Sequence, residues 1–177
     1  KPLILAGAGV IISNACCELK QLAETINAPV MTSLLGKGAF DETSDLALGM
    51  LGMHGRKVSN DYINESDLLI AIGVRFSDRT TGRLDSFVPD TKVIHIDIDP
   101  AEIGINVDVD LPIVGDARNI LSSLNKVLKD YKASDEVNNW TDMIKQRKQE
   151  LLPRVTYDDV PLKPQTVIKE IAEVLTP

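Results

Sequence analysis

Leu3-Ile4-Leu5-Ala6-Gly7-Ala8-Gly9 is the stretch on which the fold turns. A short, unbroken apolar run that ends in glycine is the pattern of a central parallel strand covered on both faces. A helical pattern follows it. Ala15, Leu19, Leu22, Ala23 and Ile26 fall on one helical face, Asn14 is available to cap the start, and Pro29 ends the segment before Val30-Met31-Thr32 turns extended again. Strand, helix and strand make one βαβ unit, and the rest of the chain repeats the alternation.

Working outward, the glycine-rich stretch from Gly36 to Gly55 reads as loop with a little local structure, and Arg56 to Glu65 reads as helix with Val58 and Tyr62 one turn apart. Leu68 to Gly73 is the next buried strand. Lys92 to Asp99 stops at Pro100 and carries acidic residues at its carboxyl end, and Pro112-Ile113-Val114-Gly115 is a fifth strand. Asp116 or Asn119 can cap the helix after it, whose apolar face includes Ile120, Leu121, Leu124, Val127 and Leu128. The alternation predicts an α/β fold with an open, doubly wound parallel sheet. From Asp135 to Leu152 the chain is strongly charged, yet Val137, Trp140, Ile144 and Leu151 recur at helical spacing, which predicts an amphipathic helix against a neighbour. Pro153, Pro161 and Pro164 then punctuate a linker before a last amphipathic stretch from Gln165 to Leu175.

Composition narrows the function. With 44% hydrophobic and 25% charged residues, the chain of 177 residues has the make-up of a folded globular protein. A net charge of −7 supplies no general basic field for nucleic acid or anionic lipid, so neither is an expected partner. No run is long and apolar enough for a membrane span or a signal peptide. Cys16 and Cys17 are adjacent in a predicted helix and point about 100° apart, so they pack as small hydrophobes in a reducing compartment. A cytoplasmic location is expected, or an organelle in a eukaryote. The opening Lys1-Pro2 leads straight into a strand with no initiator Met, which reads as a fragment of a longer protein.

Candidate chemistry gathers where strands end. Gly7-Ala8-Gly9 lies where a doubly wound fold holds a diphosphate, or it is simply a tight turn. Ile12 stands where the dinucleotide fingerprint needs its third glycine, and no acid ends the second strand, so an ordinary NAD site is excluded. Arg75 and Arg79 follow the strand ending at Gly73. Guanidinium suits a diphosphate there, while a surface ion pair with Asp78 or Asp85 is the alternative. Asp97 and Asp99 end the next strand and Asp116 the last, available to ribose or adenine; helix capping is the other reading of Asp116. His54, preceding a helix, has no partners that would make it a general base, and His95 alternates within a strand as a core residue. Two separated histidines without other ligands also argue against zinc.

Four segments together carry a resemblance: Gly49-Met50-Leu51-Gly52-Met53-His54-Gly55, Gly73-Val74-Arg75-Phe76-Ser77-Asp78-Arg79-Thr80-Thr81-Gly82, His95-Ile96-Asp97-Ile98-Asp99-Pro100 and Val114-Gly115-Asp116-Ala117. Their order and spacing resemble the middle domain of the acetolactate synthase (acetohydroxyacid synthase) large-subunit family. The resemblance implies a three-layer, six-stranded, Rossmann-like parallel sheet. It spans residues 1–130 as the domain, 131–161 as a linker with an amphipathic helix, and 162–177 as the start of a thiamine-diphosphate-binding domain.

It also implies FAD, structural and not redox-active, stretched across the carboxyl edge of the sheet. By motif, Gly7, Ala8 and Gly9 would line the diphosphate turn, Thr32 and Leu34 would touch the cofactor, and Met53 and His54 would approach the flavin. Gly73, Val74, Arg75 and Arg79 would form the central edge, Asp97 and Ile98 would reach the adenosine, and Asp116 and Ala117 would lie beside it. Two positions depart from the family pattern: many relatives carry Asp at Ser77, and some carry Glu at Asp97. Such enzymes decarboxylate pyruvate on thiamine diphosphate with Mg2+ and join the product to pyruvate or 2-oxobutyrate. The expected partners are the other domains of the subunit, further copies and a regulatory small subunit. No catalytic or metal-binding residue is expected in this chain, because Gly115-Asp116-Ala117 is not the family's metal motif. Related thiamine enzymes of the pyruvate oxidase or glyoxylate carboligase type, and a non-enzymatic nucleotide-binding domain, are the alternatives.

Overall fold

The computed structural model describes residues 1–155, 158 and 160–175. In chain order the first half holds β1 (Pro2–Ala6), α1 (Ala8–Ile12), α2 (Cys16–Ile26), β2 (Val30–Thr32), β3 (Ala47–Met50), α3 (Lys57–Tyr62) and β4 (Leu68–Ile72). The second holds α4 (Asp78–Thr81), β5 (Lys92–Asp97), β6 (Leu111–Val114), α5 (Ala117–Val127), α6 (Asp135–Glu150) and α7 (Pro164–Val174). Short 3-10 turns occupy Leu34–Gly36, Ile63–Glu65 and Leu84–Ser86.

Six parallel strands lie in the order β3-β2-β1-β4-β5-β6. Alternation along each strand divides the core in two, because successive side chains leave a strand on opposite faces. Leu3, Leu5, Leu69, Ala71 and Val93 face Val58 and Tyr62 of α3 and Trp140 and Ile144 of α6. Ile4, Ala6, Ile70, Ile72 and Ile96 face Leu19 and Leu22 of α2 and Leu121 of α5. These are the three layers expected of the doubly wound class.

Two local readings change. Within the Gly36–Gly55 stretch, Ala47–Met50 forms the edge strand β3, with a register irregularity opposite Val30 and Met31 and Gly49 at φ +83°. Four residues without a β-branched or aromatic side chain carry little strand signal of their own, so pairing with β2 makes the strand. Asn14 does not cap the following helix. Its backbone is left-handed at φ 53°, and Ala15 precedes α2 with no side-chain cap. The chain thus breaks between the one-turn α1 and α2.

The helix expected in the connecting segment packs into the domain itself. Trp140 Nε1 donates to the Pro2 carbonyl oxygen at 3.2 Å, and its ring meets Tyr62 edge-on at 5.6 Å. Thr141 Oγ1 donates to the Asn27 carbonyl oxygen at 2.6 Å, and Lys148 Nζ to that of Ser44 at 2.9 Å. Ser134 caps the helix through Val137 N–H, and Asp135 and Glu136 sit in its first turn, where the helix dipole favours them. By contrast α7 has no buried residue, and Val167, Ile168, Ile171 and Val174 are exposed. The segment 162–177 is described as far as Leu175, with residues 176 and 177 outside the described set.

Candidate functional site

The strand order reverses direction between β1 and β4, and ligands of open α/β sheets bind beyond the carboxyl ends of the strands at such a point. What the chain builds there starts from glycine. Gly7 N–H donates to the Ile72 carbonyl oxygen at 2.9 Å, and Gly9 N–H to that of Gly73 at 3.1 Å. A Cβ on Gly7 would lie 2.0 Å from the Gly73 oxygen, and one on Gly9 would lie 2.6 Å from the Gly73 Cα. Backbone here touches backbone. The glycines of the first turn therefore have a packing reason independent of any ligand, and their amides are committed to β4 and the turn after it.

The turn after β4 carries the candidate anion contact. Gly73 and Phe76 are both left-handed, at φ 58° and 48°, and Val74 and Phe76 are buried while Arg75 between them is exposed. The carboxylates proposed as its ion-pair partners turn elsewhere: Asp78 lies 3.9 Å from Arg79 Nε, and Asp85 lies 3.7 Å from an Arg83 nitrogen. Arg75 has no ion pair among the described residues. It is an uncommitted cation beside the switch point.

Beyond other strand ends of the same sheet edge, the fold leaves large apolar side chains in the open. Leu34 beyond β2, Met53 beyond β3 and Ile98 beyond β5 are 67%, 62% and 69% exposed. Met53 and Arg79 are brought together: Met53 N–H donates to the Arg79 carbonyl oxygen at 2.9 Å, and an Arg79 guanidinium nitrogen lies 3.4 Å from Met53 Sδ. His54 is exposed on the same loop. Thr32 is buried at the end of β2 with its hydroxyl unpaired. Asp97 Oδ1 accepts from Asp99 N–H at 3.0 Å, and Asp116 Oδ1 accepts from Asn119 N–H at 3.0 Å, so Asp116 is a helix cap with Ala117 buried behind it.

His95 is the residue whose work the sequence did not reveal. It is fully buried, as a core residue should be, but Nε2 lies 2.9 Å from the Val74 carbonyl oxygen and the ring meets Phe76 edge-on at 5.0 Å. Burial pushes its imidazole below the ordinary value, outweighing the opposite pull of the Val74 contact, Asp97 and Glu102. A polar residue in an otherwise apolar strand face was the available signal.

Two surface clefts are lined mainly by other residues. One of about 640 Å³ is lined by Phe87, Val88, Thr91, Lys92 and Asp108, and one of about 580 Å³ adjoins Cys16, Cys17 and Lys37. Burial pushes the Cys16 thiol up, with Cys17 adding to the effect, so it is a poor nucleophile. Among the described residues no three His, Cys, Asp or Glu side chains come together as a metal site, and no helix is long and apolar enough to cross a membrane.

Sheet order and helix layers define a three-layer, doubly wound α/β domain with an all-parallel six-stranded sheet. Its family follows from sequence comparison: residues 1–124 match the thiamine pyrophosphate enzyme, central domain, and the chain belongs to that family. It is 53% identical to the probable acetolactate synthase large subunit of Methanocaldococcus jannaschii, over 99% of this chain and 29% of that protein. Identity is 49% to the probable large subunit of Methanococcus aeolicus, over 99% and 31%, and 45% to the acetolactate synthase large subunit of Corynebacterium glutamicum, over 100% and 29%. The chain thus spans about 30% of the length of these relatives.

Proposed function

We propose that this chain is the central domain of an acetolactate synthase large subunit, and that its own task is to hold FAD along the carboxyl edge of the sheet. One observation carries the reading: Arg75 stands exposed and without a carboxylate partner beside the switch point, between apolar side chains left open at the ends of β2, β3 and β5. A ligand with an anionic centre and flat, largely apolar ends suits that distribution. Free Arg75 would take the diphosphate bidentately, as guanidinium geometry favours. Arg79, Gly73 and Val74 form the edge around it, with the turn Gly7, Ala8 and Gly9 alongside. Thr32 has an unpaired hydroxyl to offer and Leu34 an apolar face; Met53 and His54 would lie toward the flavin. Asp97 and Ile98, with Asp116 and Ala117, would lie toward the adenosine. FAD bound here would act as an architectural body joining this domain to its neighbours.

The reaction of the whole enzyme, condensation of pyruvate with pyruvate or 2-oxobutyrate and release of CO2, would use thiamine diphosphate and Mg2+ held by other domains of the subunit. On this reading the residues that hold the metal and carry out the chemistry would belong to those other domains. Further copies and a regulatory small subunit would complete the assembly, in the cytoplasm or an organelle.

Titration of the purified chain tests the reading. FAD should bind, ADP should compete with it, and riboflavin should bind more weakly, because the edge contacts favour the nucleotide half. Equal binding of riboflavin with ADP ineffective would overturn the assignment of the edge. The same preparation, supplied with pyruvate, thiamine diphosphate, Mg2+ and FAD, should form no acetolactate above a blank without protein.

A further inference from the structure

The sheet face that packs on α3 and α6 is apolar along β1 and β4, where Leu3, Leu5, Leu69 and Ala71 point into it. His95 enters that same interior from β5, paired in register with Ala71 and wholly inaccessible to water. A buried polar ring is unfavourable there unless a hydrogen bond compensates it. It has one. The partner is a carbonyl oxygen, which can only accept, so Nε2 carries the proton; Nδ1 is left buried without a partner. The closest polar contact of this side chain, well inside the 3.9 Å that separates Nε2 from an Asp97 carboxylate oxygen, is thus directed at Val74, in the turn that presents Arg75.

That turn needs holding. It has left-handed backbone at Gly73 and at Phe76, and a non-glycine residue adopts that conformation only where its surroundings over-determine it. Gly9 N–H fixes the Gly73 oxygen, His95 fixes the Val74 oxygen, and the Phe76 ring is clasped by His95 at 5.0 Å and Phe87 at 6.0 Å. Asn106 adds a long contact of 3.4 Å to the Arg75 carbonyl oxygen. Two of these pins come from one imidazole.

We propose that His95 is a positioning residue: through its bond to the Val74 carbonyl and its contact with Phe76 it fixes the turn from which Arg75 reaches the ligand edge. This rests on the reading that the edge holds the diphosphate of FAD. His95 touches no ligand itself.

The test compares the chain with its His95→Gln, His95→Leu and Arg75→Ala variants, by calorimetric titration with ADP and by hydrogen exchange of the amides of residues 74–77. Glutamine can extend an N–H donor to the Val74 oxygen and leucine cannot. His95→Leu should bind ADP roughly tenfold more weakly, the worth of one lost hydrogen bond, and its turn amides should exchange faster. His95→Gln should recover most of both. If His95→Leu does not fold, His95→Asn replaces it, since its shorter amide stops short of the same oxygen. Affinity and exchange in His95→Leu equal to those of the parent chain would overturn the proposal, as would His95→Gln behaving no better than His95→Leu. Failure of the underlying reading looks different: Arg75→Ala then binds ADP as the parent does, while turn exchange still reports whether His95 holds the loop.

Discussion

The two ends of the sheet are built from the same strands and treated oppositely. At the amino end the chain closes on itself. Asp67 N–H donates to the Lys1 oxygen and Lys92 N–H to the Asp67 oxygen, Val93 N–H reaches the Asp110 carboxylate at 2.8 Å, and Trp140 seals the start of β1 through Pro2. At the carboxyl end side chains are left open: Leu34, Met53 and Ile98 are exposed, Thr32 lacks a partner and Arg75 an anion. The proposed FAD would account for the contrast, since a body bound at the carboxyl end would cover and pair the groups left open there.

The sharpest way to break that contrast is at Trp140. Trp140→Ala should lower the free energy of unfolding in urea by about 3–5 kcal/mol, the usual effect of truncating a buried aromatic. ADP affinity of the folded fraction should stay unchanged. A loss under about 1 kcal/mol would mean that α6 merely rests on the sheet, since large effects require a core contact.

Arg75→Ala should do the reverse. Nucleotide binding should weaken by about 1.5–3 kcal/mol, as for a lost hydrogen bond to a charged group. Melting of the ligand-free protein should change by no more than about 0.5 kcal/mol, because the side chain is exposed and unpaired. Unchanged affinity beside a large loss of stability would remove Arg75 from the site and the contrast with it.

Acid should produce the smallest effect. The folded protein holds His95 below its ordinary value of 6.5, with burial as the leading cause, so just below that pH the unfolded chain binds a proton that the native state refuses. The contribution is complete above pH 6.5 and is lost as the pH falls below it toward the depressed folded value. Denaturation midpoints measured across that window should decline on acidification in the parent chain and decline less in His95→Gln. Identical pH dependence of the two proteins would show that His95 does not contribute this slope.

Sequence made the central strands legible because β1 and β4 carry unbroken apolar runs that end at glycine, and β5 an apolar stretch interrupted by His95 and closed by an acid. It did not make β3 legible: Ala47-Leu48-Gly49-Met50 is a strand only because β2 lies beside it. Asn14 was a reasonable cap by residue type, but its left-handed backbone turns the chain between two helices instead. At the edge, residue type and strand end located Arg75 and Asp116, while the choice between ion pair and free cation depended on where Asp78 and Asp85 point. The hold of His95 on Val74 joins residues 21 apart across two strands, a contact that no local pattern encodes.

The interlocked glycines bear on how any catalogue of tolerated substitutions for this domain should be read. Gly36 joins Gly7, Gly9 and Gly73 in this respect, since a Cβ on it would lie 2.3 Å from the Ala6 carbonyl oxygen. An added methyl at any of the four meets main chain instead of a movable side chain, so selection for folding alone would already keep these positions invariant. On the proposal that this edge holds FAD, the informative positions for ligand preference are the neighbours that the backbone leaves free to vary, Leu34, Met53, Arg75 and Ile98. Variants selected for altered FAD binding should then diverge at those four while the glycines stay the same.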